Sequence, residues 1–210
     1  MFVPTIYIEN LNRNMSVEVS DKKLHHLNQV LRLRDGDKVN ISDGKGLIFY
    51  GNFINNYVEI KNSRMYQRQN SLKIFVPYLR EKTRFRFLIE KLTELNVNEI
   101  HIGMTKNTQN TNYSKPKIKE WLVSALEQSG SAYLPELFFP ENINFNDFST
   151  CFDISGETFY KNVKKLNNFA IGPEGGWTDE ELSKFQNKIK ISEFSLRTET
   201  AAITAVSLMM

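Results

Sequence analysis

The sequence predicts an α/β protein: a small N-terminal β-barrel of short strands, followed by a parallel sheet with helices on both faces. Three observations carry this. From Leu72 onward, apolar strand-like runs alternate with segments of helical period, the pattern of a parallel sheet. Before residue 70 the runs are shorter, closely spaced and separated by turn residues, as in small barrels. Between the two, Tyr66-Gln-Arg-Gln-Asn-Ser71 is polar without a period and reads as a linker, dividing the chain into residues 1–70 and 71–210. Because threaded chains are very rare, physical rules alone draw the second part as an open, unknotted sheet.

The first part contributes β-rich pieces at Val17–Val19, Lys38–Ile41, Leu47–Phe53 and Tyr57–Lys61, with turn chemistry at Asp35-Gly36, Asp43–Gly46 and Asn55-Asn56. One helix interrupts them, capped by Ser20 and carrying Leu24, Leu27, Val30 and Leu31 at helical spacing. In the second part Leu72–Val76 is a strand, and Thr83–Leu95 is a helix with Phe85, Leu88, Leu92 and Leu95 on one face. Glu99–Met104 is the next strand and Lys106–Ser114 a polar loop. Ser114 and Pro116 open a helix with Ile118, Leu122, Ala125, Leu126 and Ser129 as its buried stripe and Gly130 as its terminator. Thr150–Ile154, Phe169–Ile171 and Phe194–Leu196 are the remaining strands, the last two followed by helices over 178–188 and 199–210.

Composition narrows the function classes. With 40% hydrophobic residues, fifteen Phe and eight Tyr, either part can bury a core. Cys151 is the single cysteine, so no intrachain disulfide forms. The N-terminus lacks the basic region of a secretory signal, and no stretch reaches the ~20 apolar residues that span a bilayer. The expectation is a cytoplasmic protein without a membrane partner. His25 and His26 are adjacent on a helix, point in different directions and lack an accompanying Cys or acidic pattern, so no metal site is expected. The net charge is only +3, but Lys61 to Lys91 holds nine basic residues against Glu81 and Glu90. Such a stretch either attracts a polyanion or is simply a solvated surface.

The chemistry concentrates in Phe169-Ala-Ile-Gly-Pro-Glu-Gly-Gly-Trp-Thr-Asp-Glu-Glu-Leu182, a strand, a loop and a helix start. Thr178 and Glu181 form a capping box. Gly172, Gly175 and Gly176 strip the loop of side chains, so that its peptide groups can approach a ligand, while Pro173 stiffens it. A loop at the carboxyl end of a strand is where open α/β sheets bind small molecules. It is neither the G-x-G-x-x-G dinucleotide pattern nor a Walker loop, and a plain tight turn remains the alternative. A second stretch, Leu196-Arg-Thr-Glu-Thr-Ala-Ala-Ile-Thr-Ala205, follows an apolar run and opens the last helix. Glu199 gains there from the helix dipole, and Thr198 reads first as the helix N-cap.

Together, "IGPEGGWTDEEL" and "LRTETAAITA" resemble the signature of the bacterial 16S ribosomal RNA uridine-N3 methyltransferases, a family of the knotted SPOUT superfamily. "HLNQVLRLRDGD" (His26–Asp37) and "IEKLTELNV" (Ile89–Val97) resemble two further blocks, in the family's order, from about residue 20 onward. The resemblance implies a PUA-like RNA-binding barrel and a parallel sheet whose C-terminal segments, against the expectation above, pass through a trefoil knot. It implies S-adenosylmethionine (SAM) as cofactor, held by Ile171, Gly172, Pro173, Glu174, Gly175, Gly176, Leu196, Thr198 and Ala201. It implies 16S rRNA in the 30S subunit as partner, with methylation of N3 of uridine 1498 in ribosomal numbering, and a homodimer; the surplus apolar residues on the last helix (Ile203, Val206, Leu208, Met209, Met210) either serve that dimer or belong equally well to the core.

Methyl transfer asks mainly for alignment of nucleophile, methyl and sulfur. The N3 imide also carries a proton that must leave. Arg197 is the candidate for holding the resulting negative charge, and Glu199 for accepting the proton. His26, Arg32, Arg34, Lys82, Arg84 and Arg86 are the candidate RNA contacts; Arg32 and Arg34 either fork onto phosphate or remain in water. Departures from the family's pattern include Ser192-Glu-Phe-Ser195, where a Gly-x-Arg is usual, and Glu127-Gln-Ser-Gly-Ser-Ala132, which lacks an Arg. Two other functions therefore stay open, a methyltransferase of the same superfamily with another RNA target and an RNA-binding relative without catalysis.

Overall fold

The computed structural model describes residues 3–9, 11, 16–68, 71–109, 113–158 and 166–210; the side chains of Lys22 and His26 also lie outside what is described. The chain forms two compact units, Met1–Arg68 with Val123–Leu134, and Gln69–Leu122 with Pro135–Met210.

The first unit contains β1 (Thr5–Tyr7), β2 (Ser16–Glu18), α1 (Asp21–His25), β3 (Lys38–Ser42), β4 (Leu47–Ile54) and β5 (Tyr57–Met65). They make one sheet in the order β1-β3-β4-β5-β2, antiparallel except for β1 on β3. Alternate residues of β3, β4 and β5 point inward, so Val39, Ile41, Phe49, Phe53 and Val58 form a core with Ile6, Val19 and Leu27. β1 escapes the sequence reading because three residues are too few to show a period.

The helix capped by Ser20 departs from expectation. After His25 it widens into a π-helical turn, His26–Val30, and Arg32 then adopts a left-handed φ of 54°. The wider turn breaks the 3.6-residue spacing, so Leu27 is buried while Val30 and Leu31 are exposed. The segment 123–134 joins this unit through hydrogen bonds from Tyr7 N to Glu127, from Gly46 N to the Ala132 carbonyl and from Leu134 N to the Gly44 carbonyl. None of these pairings is local in sequence.

The second unit contains β6 (Lys73–Pro77), α2 (Lys82–Glu94), β7 (Glu99–Gly103), α3 (Lys115–Ser129, whose second half belongs to the first unit), β8 (Glu136–Phe138), β9 (Thr150–Thr158), β10 (Asn168–Ile171), α4 (Asp179–Leu182), β11 (Asn187–Lys190) and α5 (Thr198–Met209). The strands form a fully parallel sheet in the order β11-β9-β10-β6-β7-β8. Continuous apolar runs such as Ile74-Phe75-Val76 and Phe169-Ala170-Ile171 are buried on both faces, as a covered parallel sheet requires. Cys151 sits in this core, where burial pushes its thiol up to about 12 and keeps it neutral.

Three elements differ from the sequence reading. Residues 194–196 are not a strand; β11 lies earlier, at Asn187–Lys190, overlapping the end of the stretch expected to be helical. The helix after the glycine loop is correspondingly short, Asp179–Leu182, although its capping box at Thr178 and Glu181 forms as expected. In α3 the buried stripe includes Trp121, while Ser129 is exposed.

Candidate active site

Both motif stretches meet at the carboxyl ends of β9, β10 and β11, around a cleft of about 400 Å³. A register jump shapes it. The β9–β11 pairing passes from Cys151↔Lys188 directly to Glu157↔Ile189, which frees residues 152–156 from the ladder. Phe152, Asp153 and Ile154 thereby line one wall, and Gly156 lets the two backbones close again, since a Cβ there would lie 2.5 Å from Ile189 N. None of these wall residues was legible as a site residue, because the jump depends on a strand more than thirty positions later.

Of the residues expected to hold a cofactor, Ile171, Gly172, Pro173, Glu174, Gly176, Leu196, Thr198 and Ala201 line the cleft, as do Arg197 and Arg84. Gly172 has a specific reason to be glycine: an added Cβ would lie 2.9 Å from Trp177 Nε1. Gly176 has another, a φ of 71°. The amide of Gly176 donates to the Pro173 carbonyl at 2.9 Å and closes the turn. Gly175 stands apart. It does not line the cleft, and its α-carbon faces Asn107, whose Nδ2 donates to the Gly175 and Gly176 carbonyls at 3.2 and 3.0 Å.

Thr198 joins the two motifs. It is the first residue of α5 and not its N-cap, which is Arg197; its hydroxyl donates instead to the Gly172 carbonyl at 3.1 Å. The indole of Trp177 is buried against the loop, and among the described residues its Nε1 finds no acceptor. A buried donor of this kind costs stability unless something accepts from it.

The charges are arranged unexpectedly. Arg84, expected to face RNA, turns toward the cleft and clamps two carboxylates. Its Nε and Nη2 donate to Glu199 at 2.9 and 2.6 Å, and its Nη1 donates to Glu174. Burial alone would raise the Glu199 carboxyl, but the hydrogen bonds and charge of Arg84, with Arg197 nearby, outweigh it and hold the group below the usual carboxylate range. A carboxylate with both oxygens engaged and a lowered pKa is a poor proton acceptor near neutral pH. Arg197 is exposed, lines the cleft and has no side-chain capping bond.

The remaining basic candidates lie elsewhere. Arg32 and Arg34 are exposed on the first unit, with the Arg34 amide donating to Asp37 at 2.7 Å. Lys82 and Arg86 are exposed on the first turns of α2, with Arg86 paired to Glu90 at 2.6 Å. The side chain of His26 lies outside the described residues. Within the basic stretch, Lys61, Lys73, Arg84, Arg86 and Lys91 each sit against a carboxylate, so much of its charge is neutralised locally. Among the described residues no group of three potential metal ligands gathers, and no helix is long and apolar enough to cross a membrane.

Comparison with known proteins identifies the family. Residues 67–210 match the family model of an RNA methyltransferase domain, and residues 19–51 that of an RNA methyltransferase PUA domain. Ribosomal RNA small subunit methyltransferase E of Buchnera aphidicola from Schizaphis graminum is 30% identical, over 98% of this chain and 94% of its own. Ribosomal RNA small subunit methyltransferase E 2 of Borreliella burgdorferi is 26% identical, over 95% and 93%. A ribosomal RNA small subunit methyltransferase E from Neisseria gonorrhoeae, solved bound to S-adenosyl methionine, superposes with a TM-score of 0.84 at 24% identity, over 99% of this chain and 97% of that one.

Proposed function

The chain belongs to the RNA methyltransferase family that its residues 67–210 match, and from that premise we propose that it methylates N3 of uridine 1498 in 16S rRNA of the small ribosomal subunit, with SAM as donor. The observation that carries this reading is the meeting of the two motifs on one cleft, joined by the hydrogen bond from Thr198 to Gly172. The cleft suits the cofactor chemically. Its volume falls among small-molecule sites, Ile171, Leu196 and Phe152 offer apolar walls for a purine, and Glu174 and Asp153 offer carboxylates to a cation. The indole N–H of Trp177 beside Gly172, which finds no acceptor among the described residues, is a further sign of a polar ligand at this wall.

When bound, SAM supplies a methyl group already activated by its sulfonium. The protein's task is placement. The glycine loop and the first turn of α5 hold the donor side, and the Arg84 clamp on Glu174 and Glu199 fixes the loop against α2 and α5. When the N3 proton passes to solvent water, negative charge spreads over the uracil carbonyl oxygens, and the exposed guanidinium of Arg197 stabilises it. Arg32, Arg34, Lys82 and Arg86 contact the RNA backbone, with His26 in the same role. The C-terminal segments form the trefoil knot, a reading supported by the placement of β10 between β9 and β6 and by the tie from α5 back to Gly172. The enzyme acts in the cytoplasm as a homodimer. Phe87 on α2, Leu208 on α5 and Met210 just beyond it are exposed, whereas Val206 and Met209 are buried in the core.

Titration calorimetry with SAM, together with transfer of labelled methyl to 30S subunits lacking the modification, tests the proposal. The label is expected at N3 of uridine 1498, and sedimentation should give twice the 24.5 kDa chain mass. SAM binding with methyl transfer to another RNA and none to 30S would leave the fold and overturn the target.

A further inference from the structure

We propose that Phe194 positions the acceptor: its ring is a stacking shelf at the mouth of the cleft for the unpaired pyrimidine that receives the methyl group. This rests on the functional reading above and goes beyond it, since neither the motifs nor the expected RNA contacts include this residue. Phe194 is 82% exposed, more than any other large hydrophobic side chain among the described residues. A single exposed apolar side chain needs no explanation by itself. This one lines the cleft, three positions before Arg197, and Ile154 on the same lining is 53% exposed. The cleft's other described aromatic residues, Phe152 and Trp177, are buried in its walls, so among the described residues Phe194 alone presents an open ring face there.

The segment that carries it is held on both sides. The Phe194 amide donates to Ser192 Oγ at 3.1 Å, Lys190 pairs with Glu193 at 3.0 Å, and Arg197 caps α5. An acceptor atom can meet a methyl group in the cleft only if its base lies at the cleft mouth, over the residues that rim it. Unpaired RNA bases are recognised by stacking on aromatic side chains, and every base has the π-face this requires. The neighbouring guanidinium of Arg197 suits the same ligand, a planar ring that becomes anionic when it loses its proton. A second copy of the chain seated on Phe194 would cover the mouth through which that base must enter. The base is therefore the occupant the geometry favours.

Phe194→Ala, Phe194→Leu and Phe194→Tyr in the full chain test this through four readings: KM for 30S subunits, SAM affinity, affinity for a short uridine-bearing single strand, and mass in solution. Phe194→Ala should raise KM and weaken the single strand about tenfold or more, the range of base–aromatic stacking. SAM affinity should stay within about twofold and the mass should not change. Tyr should restore both RNA readings and Leu should not, because Leu keeps apolar area but lacks the ring face. Unchanged RNA readings in the Ala variant, or equal rescue by Leu, overturn the proposal. A parallel loss of SAM affinity would place the ring in the cofactor site, and a change of mass would place it in a dimer contact; each overturns it too. If the unmodified protein neither binds SAM nor methylates 30S subunits, the functional reading fails separately, and the single-strand comparison still decides the role of Phe194.

Discussion

The glycine loop and the first turns of α2 border the same cleft, yet they are held by opposite means. The loop takes its shape from what lies within a few residues, the φ of Gly176, the ring of Pro173, the turn from Gly176 N to the Pro173 carbonyl and the capping box at Thr178, and Asn107, Thr198 and Arg84 then tie that shape to the rest of the unit. Arg84 is fixed by carboxylates 90 and 115 positions away. A backbone-encoded wall tolerates changes in distant side chains, whereas a charge clamp fails when either partner is removed. Arg84→Ala should therefore have the largest effect. It leaves Glu199, with a side chain only 10% exposed, without its partner, at a cost of about 3 kcal/mol. In a chain of this size that lowers the melting temperature by about 6–12 °C. Arg84→Met combined with Glu199→Met should recover most of the loss. If the double variant is no more stable than Arg84→Ala, the clamp is not what holds this corner.

The loop can be broken by size and by conformation separately. Gly172→Ala puts a methyl group 2.9 Å from the Trp177 indole, whose ring is itself packed on Phe185 at 4.9 Å. Such overpacking costs about 1–3 kcal/mol and should appear mainly as weaker SAM binding. Gly176→Ala meets nothing within 4 Å and pays only for its positive φ, about 1 kcal/mol. SAM titration of the two variants should rank Gly172→Ala as the worse. The reverse order would mean that the indole does not wall the cleft.

The same contrast explains which parts of the molecule could be read in advance. Gly172, Pro173, Gly176 and the Thr178 cap are legible because glycine, proline and capping residues act on their own neighbourhood. The apolar runs of β6 and β10 are legible because a strand buried on both faces has no other composition available. The Arg84 clamp is not legible, since its partners are fixed only once α2, the loop and α5 meet. For the same reason the basic stretch from Lys61 to Lys91 reads as more positive than it is. Asp153 and Ile154 become wall residues through a register jump that no local pattern records, and Val30 and Leu31 are exposed by a π-helical turn that the α-helical period cannot foresee.

A smaller effect follows from pH. Arg84 holds the Glu199 carboxyl below its ordinary value, so the pair adds stability above that ordinary value and loses it as pH falls through the lowered one. Denaturant midpoints should decline from about pH 5 downward. Glu199→Gln, though less stable at neutral pH, should show a shallower decline. Some slope should persist from Glu99, which burial would raise but which His101 and Lys73 hold down. An unchanged slope in Glu199→Gln would show that the carboxylate is not ion-paired in solution.

The smallest effects belong to the exposed cations of α2, and they decide whether this helix divides its arginines between structure and RNA. Arg86 is 52% exposed and pairs with Glu90 one turn away, so Arg86→Ala should cost less than about 0.5 kcal/mol of stability. If Arg86 also touches a phosphate, its loss should reduce the slope of log affinity against log salt for RNA by about 0.7–0.9. Lys82→Ala should change the slope similarly and stability even less. Arg84→Met with Glu199→Met, which removes the guanidinium while keeping the corner packed, should leave the slope unchanged. Should the slope fall in that double variant and hold steady in Arg86→Ala and Lys82→Ala, the clamp arginine would be the phosphate ligand, and the division of labour along α2 would be the reverse of the one drawn from its ion pairs.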